Sequence, residues 1–127
     1  MRRDIEIWWK QALKDYENAE LNYKNKQYYL TAFLVQQSVE KALKAYYVHN
    51  KGMFSDRTHS LVYLGKELDL PDKLLTLLRK INPDFIFTRY PDMDGVPPYE
   101  AYDENIAKER LIQGKEVLEW ITKKIKQ

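Results

Sequence analysis

The sequence predicts an all-α fold, an antiparallel up-and-down bundle of four main helices plus one short helix. Three observations carry that reading. Apolar residues recur every three or four positions along most of the chain, the period of a helix with one buried face. Only four of the 127 residues are glycine and five are proline, too few for the many turns of a β-sandwich. No two alternating runs flank a hairpin turn. The length favours a single domain over residues 1–127, large enough to bury about two-thirds of the surface of the unfolded chain.

Asp4 is placed to cap a first helix that runs to about Tyr23, with Ile5, Trp8, Ala12, Tyr16, Ala19 and Tyr23 as its buried stripe. Asn25 and Lys26 break it. A second helix is expected from Tyr28 to His49, burying Ala32, Phe33, Gln36, Val39, Leu43 and Tyr46 and ending at Gly52. The short helix follows over Leu61–Leu68. Pro71 opens the next, since proline suits the first helical position, and Leu74, Leu75, Leu78, Ile81 and Phe85 line it. Periodicity fails from Ile86 to Tyr102. Asp103 then caps a last helix to about Ile125, lined by Ile106, Arg110 or Leu111, Val117 and Ile121. Gly114 inside it costs about 1 kcal/mol of helix propensity and allows close helix approach. If each helix reverses the last, the fourth runs down and the final one up. The loops before His59 and after Phe85 then share one end of the bundle.

Composition narrows the chemistry. The absence of cysteine excludes disulfides, thiolate metal sites and thiol catalysis. No apolar run approaches a membrane span, and MRRDIEIWWK lacks the apolar stretch of a signal peptide; a cytoplasmic location is expected. The formal net charge is +2, with 31% charged residues of both signs. Trp8 and Trp9 lie about 100° apart on a helix. One stripe cannot bury both, so a second copy is expected to cover the other, making a homodimer.

Two segments could carry a site. The loop Ile86–Tyr102 holds Arg89, Tyr90, Asp92 and Asp94. A guanidinium beside a phenol ring suits a phosphate and a stacked base; alternatively Arg89 pairs with Asp92 or caps the fourth helix, and Tyr90 plugs the core. The stretch Ser55–Ser60 holds Arg57 and His59. His59 can act as general acid or base, beside helical N–H groups that attract anions, or it simply packs across the loop. His49, near a helix end, reads as solvent-exposed. Lys41, Lys44, Lys51 and Arg57 could make one electropositive end. Asp92-Met93-Asp94-Gly95 is a fragment of a calcium loop without the remaining ligands, so no metal is expected. Gln36 and Glu40 share a helix face so close to the core that they need partners.

The run AFLVQQSVEKALKAYYV (Ala32–Val48), then Thr58-His59-Ser60-Leu61, then Thr88-Arg89-Tyr90-Pro91-Asp92, resembles the HEPN domain family, the higher-eukaryote and prokaryote nucleotide-binding domains, over nearly the whole chain. The resemblance is to the small prokaryotic stand-alone type. It implies a bundle of four main helices plus a short one, and a homodimer. It also implies a minimal nucleotidyltransferase partner in a toxin–antitoxin-like pair. Many members are metal-independent ribonucleases with an R-x(4–6)-H motif at the dimer cleft. This sequence departs from it. Positions 94 to 96, after Arg89, are Asp94, Gly95 and Val96, and only one residue separates Arg57 from His59. The expectation is therefore a helical protein that binds a nucleotide or RNA phosphate through Arg57, His59, Arg89, Tyr90 and Lys51, with no other cofactor. The alternatives are a ribonuclease with a rearranged site, His59 as acid/base and Arg89 stabilising transition-state charge, or a non-catalytic dimerisation module.

Overall fold

The computed structural model describes residues 2–93 and 95–126, and among them it contains helices and no strand. The elements are α1 (Arg3–Lys24), α2 (Tyr28–Lys51), α3 (Leu61–Glu67), α4 (Asp72–Ile81), α5 (Asp84–Phe87), α6 (Pro98–Ala101) and α7 (Glu104–Ile125). The four main helices are α1, α2, α4 and α7, and α3 is the short one. Two single turns, α5 and α6, break up the stretch that sequence periodicity left irregular.

Helix α2 is the axis of the molecule. It packs against α1 and α7 and also meets α3, α4, α5 and α6. Its small residues explain this. Ala32, Ser38, Ala42 and Ala45 are fully buried and let backbones approach from several sides. Side-chain hydroxyls tie the neighbours together: Ser38 Oγ donates to the Ala12 carbonyl at 2.7 Å, and Thr31 Oγ1 to the Ala19 carbonyl at 3.2 Å. Tyr16 OH donates to the Leu111 carbonyl at 2.8 Å and joins α1 to α7. Burial pushes the Tyr16 hydroxyl up to about 12, with Glu20 and Glu119 adding to the rise.

Gly114 lets α7 approach α2 closely. A Cβ there would lie 2.6 Å from Val35 Cγ1. That contact, with Tyr46 edge-on to Trp120, shows α7 running parallel to α2. Lys73 faces Glu116 and Asp84 faces Arg110, so α4 runs antiparallel to α7. The main helices thus alternate in the order α1, α2, α4, α7. The expected directions of α4 and α7 were inverted. The loop after Gly52, not α3, makes the return climb, and α3 and α4 form a hairpin pinned where the Leu61 N–H donates to Asn82 Oδ1 at 2.8 Å.

Other expectations also change. Asp4 does not cap α1; the helix begins at Arg3, and Asp4 lies in its first turn. Trp9, not Trp8, is the buried tryptophan, and Asp15 joins the buried face while Tyr16 and Tyr23 are only half-buried. Pro71 is the N-cap of α4 rather than its first residue. Phe85 does not extend α4, because the chain turns at Asn82-Pro83 and starts α5. On α7 the buried residues are Ala107, Gln113, Gly114, Val117, Leu118, Ile121 and Ile125, while Ile106, Arg110 and Leu111 lie at the margin. The caps at Gly52, in the left-handed region at φ 74°, and at Asp103, which accepts from the Ile106 N–H, are as expected.

Candidate functional site

The site forms where the loop before α3 meets α5 on the flank of α2. Gly52 ends α2, and the loop climbs back until His59 lies beside Glu40, in the middle of that helix. His59 Nδ1 sits 3.2 and 3.3 Å from the two Glu40 oxygens. A carboxylate only accepts, so Nδ1 is the donor in this contact, and in the neutral ring Nε2 is the remaining acceptor. Glu40 is buried, with a side chain 7% exposed against 59% for His59. Its charge is held by Lys44 at 3.1 Å and by the Gln36 amide at 3.1 Å. Gln37 bonds Gln36, and Lys41 reaches both Gln37 and the buried Asp15. The polar middle of α2 is therefore one connected network rather than an ordinary amphipathic face.

Phe85 gathers the site. The His59 ring stacks on it, 4.1 Å between centroids and 17° between planes. The Arg89 guanidinium carbon lies 4.7 Å from the same centroid. The imidazole and the guanidinium can be no farther apart than those two distances laid end to end. A shallow depression of about 250 Å³ opens beside them, lined by His59, Ser60, Asn82, Phe85 and Ile86. Arg89 neither pairs with Asp92 nor caps α4; its guanidinium carbon lies over the Phe85 ring. Tyr90 is 49% exposed and is no core plug.

Several expected groups lie elsewhere. The N–H groups at the start of α3 do not await an anion: Leu61 donates to Asn82, Tyr63 to Ser60 Oγ, and Ser60 to Thr58 Oγ1. Lys51 is eleven residues beyond Glu40, about 16 Å along the helix, and lies over Tyr47. Arg57 lines a separate depression with Trp8, Lys44, Phe54, Ser55 and Asp56. The expected electropositive end therefore does not assemble: Lys41 and Lys44 are consumed by Asp15 and Glu40. His49 is exposed beside Tyr46. Asp94 lies outside the described residues. Among those described, no three metal-ligating side chains cluster.

A second buried cluster was not anticipated. Asp84, 2% exposed, accepts from Arg110 Nε on α7 and from Tyr102 OH at 2.7 Å. Burial pushes its carboxyl upward, while Arg110 and Tyr102 pull it back down. The signal for Glu40 was present in the sequence, a carboxylate among Val39, Ala42 and Leu43 that had to find a partner. For Asp84 there was no comparable signal, because its partners lie 18 and 26 residues away.

The model of the HEPN domain family matches residues 5–125. Among solved structures, TT1696 from Thermus thermophilus is 25% identical, with a TM-score of 0.89 over 97% of this chain and 99% of that one. ST0689, described as an archaeal HEPN homologue, is 33% identical, with a TM-score of 0.83 over 98% of this chain and 99% of that one. No curated protein matches this chain.

Proposed function

Starting from a chain that belongs to the HEPN domain family, we propose that it binds a nucleotide or RNA phosphate at His59, Phe85 and Arg89, with Tyr90 at the margin. The observation that carries this reading is the sharing of Phe85. Arg89 is exposed and its guanidinium carbon lies over the Phe85 ring, which uses the π-face of the ring and leaves the guanidinium's N–H donors available to a phosphate. The His59 side chain is more than half exposed and lines the same depression. The exposed Tyr90 ring is available to stack a base.

The Glu40–His59 pair supports a second reading. A buried carboxylate that holds an imidazole through Nδ1 is how a general base is oriented. In this reading His59 takes the proton of a 2′-hydroxyl, and Arg89 stabilises the charge that develops on the phosphate. The missing R-x(4–6)-H spacing speaks for binding without cleavage. A homodimer and a minimal nucleotidyltransferase partner, in a toxin–antitoxin-like pair, complete the proposal. The dimer is supported by Trp8, half-buried next to Ile7, which is 56% exposed. The nucleotidyltransferase rests on family resemblance.

Arg89→Ala tests the reading. Losing a charge-assisted contact should weaken binding of a single-stranded oligouridylate by about tenfold or more. Arg89 is exposed, so the melting temperature should barely move. Unchanged affinity per folded molecule, with a large drop in melting temperature, would make Arg89 a structural residue instead.

A further inference from the structure

Phe85 and Arg89 are carried by a piece of chain that cannot place itself. Helix α5 has four residues, Asp84–Phe87, far short of the length at which a helix stands alone. The turn continues only as far as Tyr90, whose N–H donates to the Ile86 carbonyl. Phe85, Ile86 and Phe87 are not fully buried, and the one fully buried residue of α5 is Asp84. Its carboxylate is gripped from two directions. Arg110, from the middle of α7, donates Nε to Oδ2 and Nη1 to Gln113 at 3.2 Å. Tyr102, at the end of α6, donates its hydroxyl to Oδ1. Thr88 Oγ1 bonds the Asp84 carbonyl and closes the turn. The shielded charges are held by one another: Arg110 is only 16% exposed and Asp84 3% at the side chain.

Buried ion pairs add little net stability compared with a well-packed apolar cluster. What such a pair does supply is direction, because a carboxylate held by one N–H and one O–H has a single favourable pose. The neighbour of Asp84 is the ring on which His59 and Arg89 both rest, and Arg89 follows one turn later. We infer that the Asp84–Arg110–Tyr102 cluster positions the ligand site: it clamps α5 to α6 and α7 and thereby fixes where Phe85 presents the imidazole and the guanidinium. Asp84, Arg110 and Tyr102 are positioning residues and touch no ligand. The inference rests on the reading of the His59–Phe85–Arg89 cluster as a binding site, and it extends that site's determinants to α7.

The test reads site geometry separately from binding. Protons of His59 and of the Arg89 guanidinium lie over the Phe85 ring, and its ring current displaces their nuclear magnetic resonance signals upfield. In Arg110→Gln those displacements should collapse, while the signals of the α1–α2 core stay put. Arg110→Lys, which keeps the charge, should restore part of them. Affinity for the oligouridylate should fall about tenfold in Arg110→Gln, in parallel with the lost displacement. Should Arg110→Gln fail to fold, Tyr102→Phe removes one hydroxyl, keeps the ring, and is read in the same way. Unchanged His59 and Arg89 signals in a folded variant would overturn the inference. A wild type that shows the displacements and their loss in the variant, yet binds no oligouridylate, would uphold the clamp and defeat the binding reading instead.

Discussion

At the scale of single residues, the site turns on which groups are already committed. Lys41 and Lys44 are spent on Asp15 and Glu40, so they add little to phosphate binding. Arg89 lies over Phe85, and no carboxylate among the described residues pairs with it. His59 spends Nδ1, on Glu40. Glu40→Gln removes the charge but keeps an oxygen that can accept, so His59 should remain on Phe85. The upfield displacement of the His59 ring signals by Phe85, followed by nuclear magnetic resonance, checks this; its loss in the variant would show that the Glu40 charge, and not merely an accepting oxygen, holds the imidazole in place. For cleavage, the expectation is an intact RNA strand after incubation with wild type in EDTA. Robust cleavage that His59→Ala abolishes, with binding retained, would establish the ribonuclease reading, since removing a general acid–base typically costs 10²–10⁴-fold.

At the scale of elements, two predictions follow from the contacts of α7. Gly114→Ala gains about 1 kcal/mol of helix propensity. It also drives a Cβ to 2.6 Å from Val35 Cγ1. Val35 is fully buried and β-branched, with little rotamer freedom to yield, and overpacking costs about 1–3 kcal/mol. The clash wins, and chemical denaturation should find the variant less stable by about 1 kcal/mol; a more stable variant would show that α2 and α7 separate easily. The second concerns Tyr16, held protonated up to about pH 12 by its burial. The unfolded tyrosine gives up its proton near 10.0, so above that pH the native state binds more protons and stability falls. The contribution is complete below pH 10 and is lost as pH rises toward 12. Melting scans should show a steeper alkaline decline for wild type than for Tyr16→Phe; superimposable curves would contradict it.

The same elements show what the sequence made legible. Local signals were readable: Gly52 and Asp103 are caps because each acts within a turn of its own position, and the spacing of α2 marked a helix with a buried face. Signals that depend on distant packing were not. Trp8 and Trp9 both fit the α1 period within one residue, and only the neighbouring helices select Trp9. Phe85 continues the spacing of Leu74, Leu78 and Ile81, so the break at Asn82-Pro83 hid its role in the site. The directions of α4 and α7 depended on how far the loop before His59 climbs, which no local pattern records. His59 and Arg89 did come together as expected, but on the side of α2 and through Phe85. Lys51 and Arg57 did not join them.

At the scale of the molecule, α1 carries one part of the exposed apolar surface. Ile7 is 56% exposed, Leu13 46% and Leu21 48%, and Trp8 has depressions on both sides, one of them lined by Ile7, Gln11 and Lys41. Light scattering at micromolar concentration is expected to give twice the 15.3 kDa chain mass, and Ile7→Glu should return it to the monomer value. A wild-type monomer would leave this face without the proposed second copy. The proposed function requires the Phe85-centred cluster to be where RNA phosphate is held. The most direct test is titration of the labelled protein with single-stranded oligouridylate in EDTA, followed residue by residue by nuclear magnetic resonance. Saturable shifts centred on His59, Phe85, Arg89 and Tyr90 are expected. Shifts confined to Lys51, Arg57 and Trp8, or no shifts at all, would contradict that requirement.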